Sequence, residues 1–322
     1  MNLSVFSVSE KVITLFVILI AGIIAKKTDI IDNASTKKMS GLLLYITQPM
    51  LIITSFQISF DPEKLKNGLA IFALSAAIHI IASVFSYFIY KPVGEAGKKK
   101  VFEMATIFCN CAFLGYPVLT VIFGSELGIF YGAFYAMFFN IYIWIYGVYL
   151  ITRNEGGKTG KKNTGFPISK IFLNPGMIAS AAGIVFFISG AKLTPVLYNS
   201  AKMIGDVTFP LSMVIIGSLI ADIKLKEMFL QAKNYYYAFV KLLLIPALTA
   251  VICCALKLPV LLVYMGTVMT SMPSAANVAI FAETYNADSK TAAIAVGFST
   301  LLSAGTVPLM IYFADSLLFW RG

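Results

Sequence analysis

The sequence predicts an all-α membrane protein of ten transmembrane helices, arranged as two inverted five-helix repeats. Three observations carry that expectation. The chain is 59% hydrophobic and only 12% charged, with a mean hydropathy of +0.84, outside the range of a soluble domain. Apolar runs long enough to cross a bilayer recur from end to end, separated by short polar connectors. Two of these runs, about half a chain apart, are broken by proline: Asn110-Cys-Ala-Phe-Leu-Gly115-Tyr116-Pro117 and Ser271-Met-Pro273-Ser274-Ala-Ala-Asn277.

The ten runs cover about 9–25, 37–57, 67–90, 101–122, 127–152, 174–190, 199–221, 233–256, 259–284 and 290–315. The first is a retained helix and not a secretory signal, because Lys26 and Lys27 follow the apolar stretch and no small-residue cleavage site appears. The second carries Gln48 beside Pro49, and the third carries His79, the only histidine. The fourth and ninth are the broken ones. The seventh holds Asp206 one turn before Pro210, and the eighth holds Lys241. A Gly- and Lys-rich stretch at 153–170 reads as a cytoplasmic linker between a first repeat at 1–152 and a second at 171–322. No strand–turn–helix context makes its glycines a phosphate loop. Cys109, Cys111, Cys253 and Cys254 sit at membrane depth with no ligand cluster, so packing is expected and no metal or cofactor.

Charge placement orients the helices. With Met1 outside and ten crossings, the odd-numbered connectors hold most of the 25 Lys and Arg, among them Lys26, Lys27, Lys98, Lys99, Lys100, Lys158, Lys161 and Lys162. Cytoplasmic connectors carry the positive excess, so both termini are expected outside the plasma membrane. The formal net charge of +10 is therefore a topology signal, not a nucleic-acid footprint.

The halves repeat. A shift of 161 residues places Gly183 on Gly22, Pro210 on Pro49, Asp222 on Asp61, and Val240 and Lys241 on His79 and Ile80. A shift of 156 brings Pro273 onto Pro117. Five spans per half make the second half enter from the opposite side, an inverted repeat of the kind found in transporters. A proline in a membrane helix frees backbone groups, and the unwinding survives only where it is buried or lines a wet cavity. Each proline is expected to begin a second half-helix whose N-terminus points to the midplane, which favours an anion. Asn110 and Asn277 add amide donors without a buried charge, while Gly115 and the small Ser274 allow close approach.

These two motifs, with the later Ser299-Thr300…Ser303…Thr306-Val-Pro308, resemble the auxin efflux carrier family, which includes plant PIN carriers and bacterial carriers of malate and related acids. The resemblance runs from the first segment to the tenth. It implies a fold shared at greater distance with bile acid:sodium symporters. In such proteins helices 1, 2, 6 and 7 form a scaffold, and helices 3–5 and 8–10 form an elevator-like transport domain with helices 4 and 9 crossing at the substrate. Carried onto this chain, Asn110, Gly115, Tyr116, Pro117, Pro273, Ser274 and Asn277 would hold a carboxylate. The central connector of about 18 residues is far shorter than is usual in the plant carriers, which favours a bacterial organic acid over auxin.

Ionisable residues inside spans are functional hypotheses. His79 reads as a proton relay or as a neutral histidine bonded between helices. Lys241 reads as snorkelling to the cytoplasmic side or as attracting the anion. Asp206 reads as a proton or Na⁺ site or as a cap, and Gln48 as a scaffold-side polar contact. Glu103 and Glu283, near cytoplasmic ends, read as solvated. Coupling to H⁺, to Na⁺ or to neither stays open, and the scaffold helices leave room for a homodimer. With one histidine and no nucleophile–base or metal constellation, an enzyme is not expected. The expected function is secondary transport of a small organic anion such as malate. The alternatives are sodium-coupled, bile-acid-symporter-like uptake and a membrane sensor on a transporter scaffold.

Overall fold

The computed structural model describes residues 5–153, 173–223 and 225–321. Apart from Arg153, the linker expected at 153–170 lies outside the described residues. The first helices are α1 (Val5–Lys27), α2 (Asn33–Leu42), α3 (Gln48–Ser55), α4 (Pro62–Ile89), α5 (Ala96–Ile107) and α6 (Tyr116–Phe123). They are followed by α7 (Ser125–Tyr142), α8 (Val148–Thr152), α9 (Pro175–Ser189), α10 (Pro195–Asp206) and α11 (Thr208–Ala221). The last are α12 (Leu225–Phe229), α13 (Ala232–Phe239), α14 (Ile245–Ala255), α15 (Val260–Ser271), α16 (Asn277–Thr284) and α17 (Ser289–Arg321). Among the described residues, six helical stretches are long and apolar enough to cross a membrane, and three shorter apolar ones, including Pro175–Ser189 and Val260–Ser271, accompany them. Outward faces stay apolar, as with Ile80, Ile81, Val84 and Phe88 of α4, which suits a lipid surround.

Polar residues ahead of prolines set several helix starts. Asp61 accepts the Glu63 N–H at 2.8 Å ahead of Pro62, and Asn174 accepts the Gly176 N–H at 2.9 Å ahead of Pro175. Thr194 plays the same part ahead of Pro195, which starts that span a turn earlier than the apolar pattern alone places it. A cap oxygen takes an orphan N–H, and proline at the first position needs no acceptor.

Among the described residues, four π-helical turns interrupt the spans: Leu43–Thr47, Cys111–Gly115, Ile143–Gly147 and Val240–Leu244. Three of them stand just ahead of Pro49, Pro117 and Pro246. A proline ring collides with the carbonyl four residues before it, here that of Tyr45, Phe113 or Leu242, each inside a π turn. Widening the turn moves that carbonyl aside, so the helix bends without ending.

Helix α1 runs along α11, while α3 packs on α9 and α10. Helix α7 packs on both α4 and α6, and α14, α15 and α17 pack together. The α1–α11 crossing depends on two glycines. A Cβ on Gly22 would stand 2.4 Å from the Val214 carbonyl oxygen, and one on Gly217 would stand 2.1 Å from that of Leu19. Small residues permit this backbone approach, which replaces the hydrophobic drive that lipid removes.

Candidate functional site

Helix α5 ends at Ile107 and α15 at Ser271, and in each case the chain turns extended, at Phe108 and at Met272. The two breaks lie side by side, joined by an isolated antiparallel bridge between Cys109 and Ser274. The Asn110 N–H donates to the Pro273 carbonyl at 2.7 Å, and the Ala275 N–H to the Phe108 carbonyl at 2.9 Å. Each break thus satisfies backbone groups that the other leaves open, which is what an unwound segment at membrane depth requires. Ser274 reinforces the junction. Its N–H donates to Ser299 Oγ at 3.1 Å, its hydroxyl donates to the Ala105 carbonyl at 2.5 Å, and it also bonds the Tyr237 hydroxyl.

The two prolines are not equivalent here, contrary to the expectation that each begins a half-helix. Pro117 does stand in the first turn of α6, beyond the π turn Cys111–Gly115. Pro273 instead lies within the extended break, four residues ahead of Asn277, the first residue of α16. A proline's fixed φ suits an extended link as well as a helix start, and at Pro273 the free carbonyl is the group in use.

A cavity of about 470 Å³ opens on one side of this junction. Asn110, Cys111, Ala112 and Phe113 form one wall, and Ala275, Ala276 and Asn277 form another. Gln48, Leu44 and Tyr45 enter from the second span, Asn140 and Trp144 from the fifth, and Asn174, Pro175 and Gly176 from the head of α9. Three helix N-termini therefore converge on it: the π turn after Asn110, α9 and α16. Their orphan N–H groups carry partial positive charge. At the head of α16, the N–H groups of Ala276 and Asn277 have no backbone acceptor among the described residues.

Five amide side chains line the cavity, and among the described residues no charged side chain does. Asn110 is buried, and its Oδ1 accepts the Phe113 N–H at 3.1 Å, capping the π turn and leaving the amide NH₂ as its donor. Asn174 donates to Asn140 Oδ1 at 3.4 Å, so Asn140 likewise keeps its NH₂ for another acceptor. Asn140 Nδ2 and Gln48 Nε2 both face Gly176, each within 3.9 Å of where its Cβ would stand.

Of the residues named from sequence, the structure brings Gln48, Asn110 and Asn277 together around the cavity. Gly115, Tyr116, Pro117, Pro273 and Ser274 stand behind it and build the junction. At Gly115 an added Cβ would stand 3.1 Å from Met269 Sδ. Tyr116 is wholly buried, with no partner for its hydroxyl among the described residues. Asn140 and Asn174 were missed. An amide inside the apolar run at 127–152, and an asparagine directly before Pro175, were the available signals.

The charged candidates lie elsewhere. Lys241 neither snorkels nor reaches the cavity: it is 1% exposed, and its ammonium donates to the Thr106 and Thr270 carbonyls at 3.2 and 3.3 Å. His79 donates through Nδ1 to the Ser75 carbonyl of its own helix at 2.7 Å, not to a neighbouring helix. Aromatic rings, including those of Phe108, Tyr135 and Tyr142, surround it. Asp206 is exposed and pairs with Lys202 at 3.3 Å in a separate shallow groove. Glu103 is not solvated. It is fully buried, and Arg153 Nη2 donates to both its carboxylate oxygens at 2.8 Å.

A family model described as membrane transport protein matches residues 7–311. The chain belongs to that family. The family is that of the auxin efflux carriers, so the likeness first read in the two broken segments is a true kinship. An uncharacterized transporter of Methanothermobacter thermautotrophicus is 25% identical, over 94% of this chain and 96% of its own. Another, of Methanocaldococcus jannaschii, is 23% identical over 67% of this chain and 70% of its own. Family membership makes this multi-pass helical protein a membrane transporter and not an enzyme.

Proposed function

We propose that this family member is a secondary transporter of a small organic anion, a carboxylate such as malate, bound at the crossing of the two broken helices. The observation that carries the reading is the convergence of three helix N-termini and five amide side chains on one uncharged cavity. N-terminal N–H groups and amide donors hold a carboxylate through charge-assisted hydrogen bonds, with no buried cation to desolvate. The volume of about 470 Å³ falls within the ~300–1,000 Å³ usual for small-molecule sites.

The chain crosses the plasma membrane ten times as two inverted five-helix repeats, with both termini outside. The close α1–α11 crossing, and the packing of α3 against α9 and α10, support a scaffold made of spans 1, 2, 6 and 7. The cavity is lined by Phe281 and Leu173, next to the Lys-rich connectors, which supports reading this conformation as inward-facing. A smaller groove lined by Thr54, Thr120, Glu126 and Tyr198 lies toward the opposite face. Elevator movement of the remaining spans would carry the crossing from one face to the other.

The test is flux of labelled malate into proteoliposomes, with pH and Na⁺ gradients imposed separately. Uptake competed by other small carboxylates is expected. No uptake of any carboxylate under either gradient would overturn the reading in favour of a sensor.

A further inference from the structure

Behind the cavity, the C-terminal ends of α5 and α15 arrive at the same place. Each such end carries unpaired carbonyls and a partial negative charge of the helix dipole. Two ends brought together repel one another and call for a cation. In carriers with discontinuous helices, such carbonyls are the groups that coordinate Na⁺ or H⁺. Here the Lys241 ammonium already lies between them. Its hydrogen bonds to the Thr106 carbonyl at 3.2 Å and the Thr270 carbonyl at 3.3 Å join the last turn of one half-helix to the last turn of the other.

The placement is built into the chain. Lys241 lies in the π turn Val240–Leu244 ahead of Pro246, and only 1% of it is exposed. No carboxylate pairs with it among the described residues, so the half-helix carbonyls are its counter-charge. Thr267 Oγ1, one turn from Thr270 on α15, is likewise buried, with no partner among the described residues. A lysine held at this depth without a carboxylate partner is costly, which marks it by default as a functional group.

We propose that Lys241 is a built-in cation. Its ammonium fills the monovalent-cation position between the two half-helix C-termini, so the protein needs no Na⁺ there, and removing the ammonium opens a Na⁺ site. The inference leaves the identity of the transported solute aside and names what stands in place of a coupling ion at the crossing.

The test is thermal unfolding of the purified full-length protein in NaCl, KCl or N-methyl-D-glucamine chloride at equal ionic strength. The wild type is expected to unfold at one midpoint in all three. Lys241→Ala should unfold lower in N-methyl-D-glucamine and recover saturably as Na⁺ is added, as for any ligand bound only by the folded state. Lys241→Met, which fills the same space without charge, should fall without recovering. A wild-type midpoint raised by Na⁺ over N-methyl-D-glucamine would overturn the proposal, and so would a folded Lys241→Ala protein indifferent to the cation. Should neither variant fold, the wild-type comparison alone decides. Failure of carboxylate flux would count against the transport reading only, because the unfolding comparison involves no solute.

Discussion

Asn110 performs two tasks that substitution can separate. Its Oδ1 caps the π turn through the Phe113 N–H at 3.1 Å, and its NH₂ is left for the cavity. Loss of a cap of this kind costs about 0.5–2 kcal/mol of stability. Loss of a hydrogen bond to a charged ligand costs about 1.5–3 kcal/mol of binding, roughly 10- to 150-fold in Kd. Asn110→Ala should therefore lower both the unfolding midpoint and the affinity. Asn110→Asp keeps a cap oxygen but sets a carboxylate against the ligand's own, so its midpoint should stay near the wild type while binding is lost. Asn277 is half-buried, and its side chain bonds no other protein group among the described residues. Asn277→Ala should therefore weaken binding by the same order with little change in stability. Isothermal titration of malate into purified variants, paired with thermal unfolding, reads both quantities. Unchanged affinity in Asn110→Asp and Asn277→Ala would refute the placement of an anion against these amides.

Other predictions concern the frame around the site. Glu103→Gln removes the buried negative charge that Arg153 Nη2 and Lys99 face, and disrupting a buried pair costs up to about 3–5 kcal/mol; a midpoint matching the wild type would contradict the burial of that pair. Gly217→Leu drives a side chain into the Leu19 carbonyl, 2.1 Å from the first added carbon, and overpacking of this kind costs about 1–3 kcal/mol or more. Its expected result is poor yield and a lowered midpoint in detergent. Glu95 lies outside the spans, and the ammonium groups of Lys233 and Lys98 hold its carboxyl below the usual range. A lowered folded pKa gives stability that is present above the unfolded pKa and lost as pH falls through the folded one. Lys233→Ala should thus unfold slightly earlier than the wild type at neutral pH, and the gap should narrow below about pH 4, down to what the Lys233 bond to the Val93 carbonyl at 3.0 Å contributes. A gap that widens in acid would contradict the pairing.

The membrane class, the apolar runs and the sites of the two breaks were legible in the sequence. They depend on local properties: the length of apolar stretches, the charge beside them, and the missing N–H of proline. Asn110 and Asn277 were legible for the same reason, as amides placed at those breaks. The junction itself was not. Bonds from Asn110 to Pro273 and from Ala275 to Phe108 join residues half a chain apart, and no local pattern states which backbone groups satisfy which. The unequal parts of Pro117 and Pro273 follow from that pairing, because one proline closes a π turn and the other lends a carbonyl. Asn140 and Asn174 became part of the site only when α9 brought its N-terminus to the cavity. Glu103 and Lys241 show the limit most clearly. A charge near a span end reads as solvated or snorkelling until its partner is known, and the partners, Arg153 and two half-helix carbonyls, come from distant segments. Local residue chemistry, above all proline without its N–H, sets where the helices break. Tertiary structure decided what takes up the exposed groups, since a buried polar group is stable only through the partner that packing brings to it.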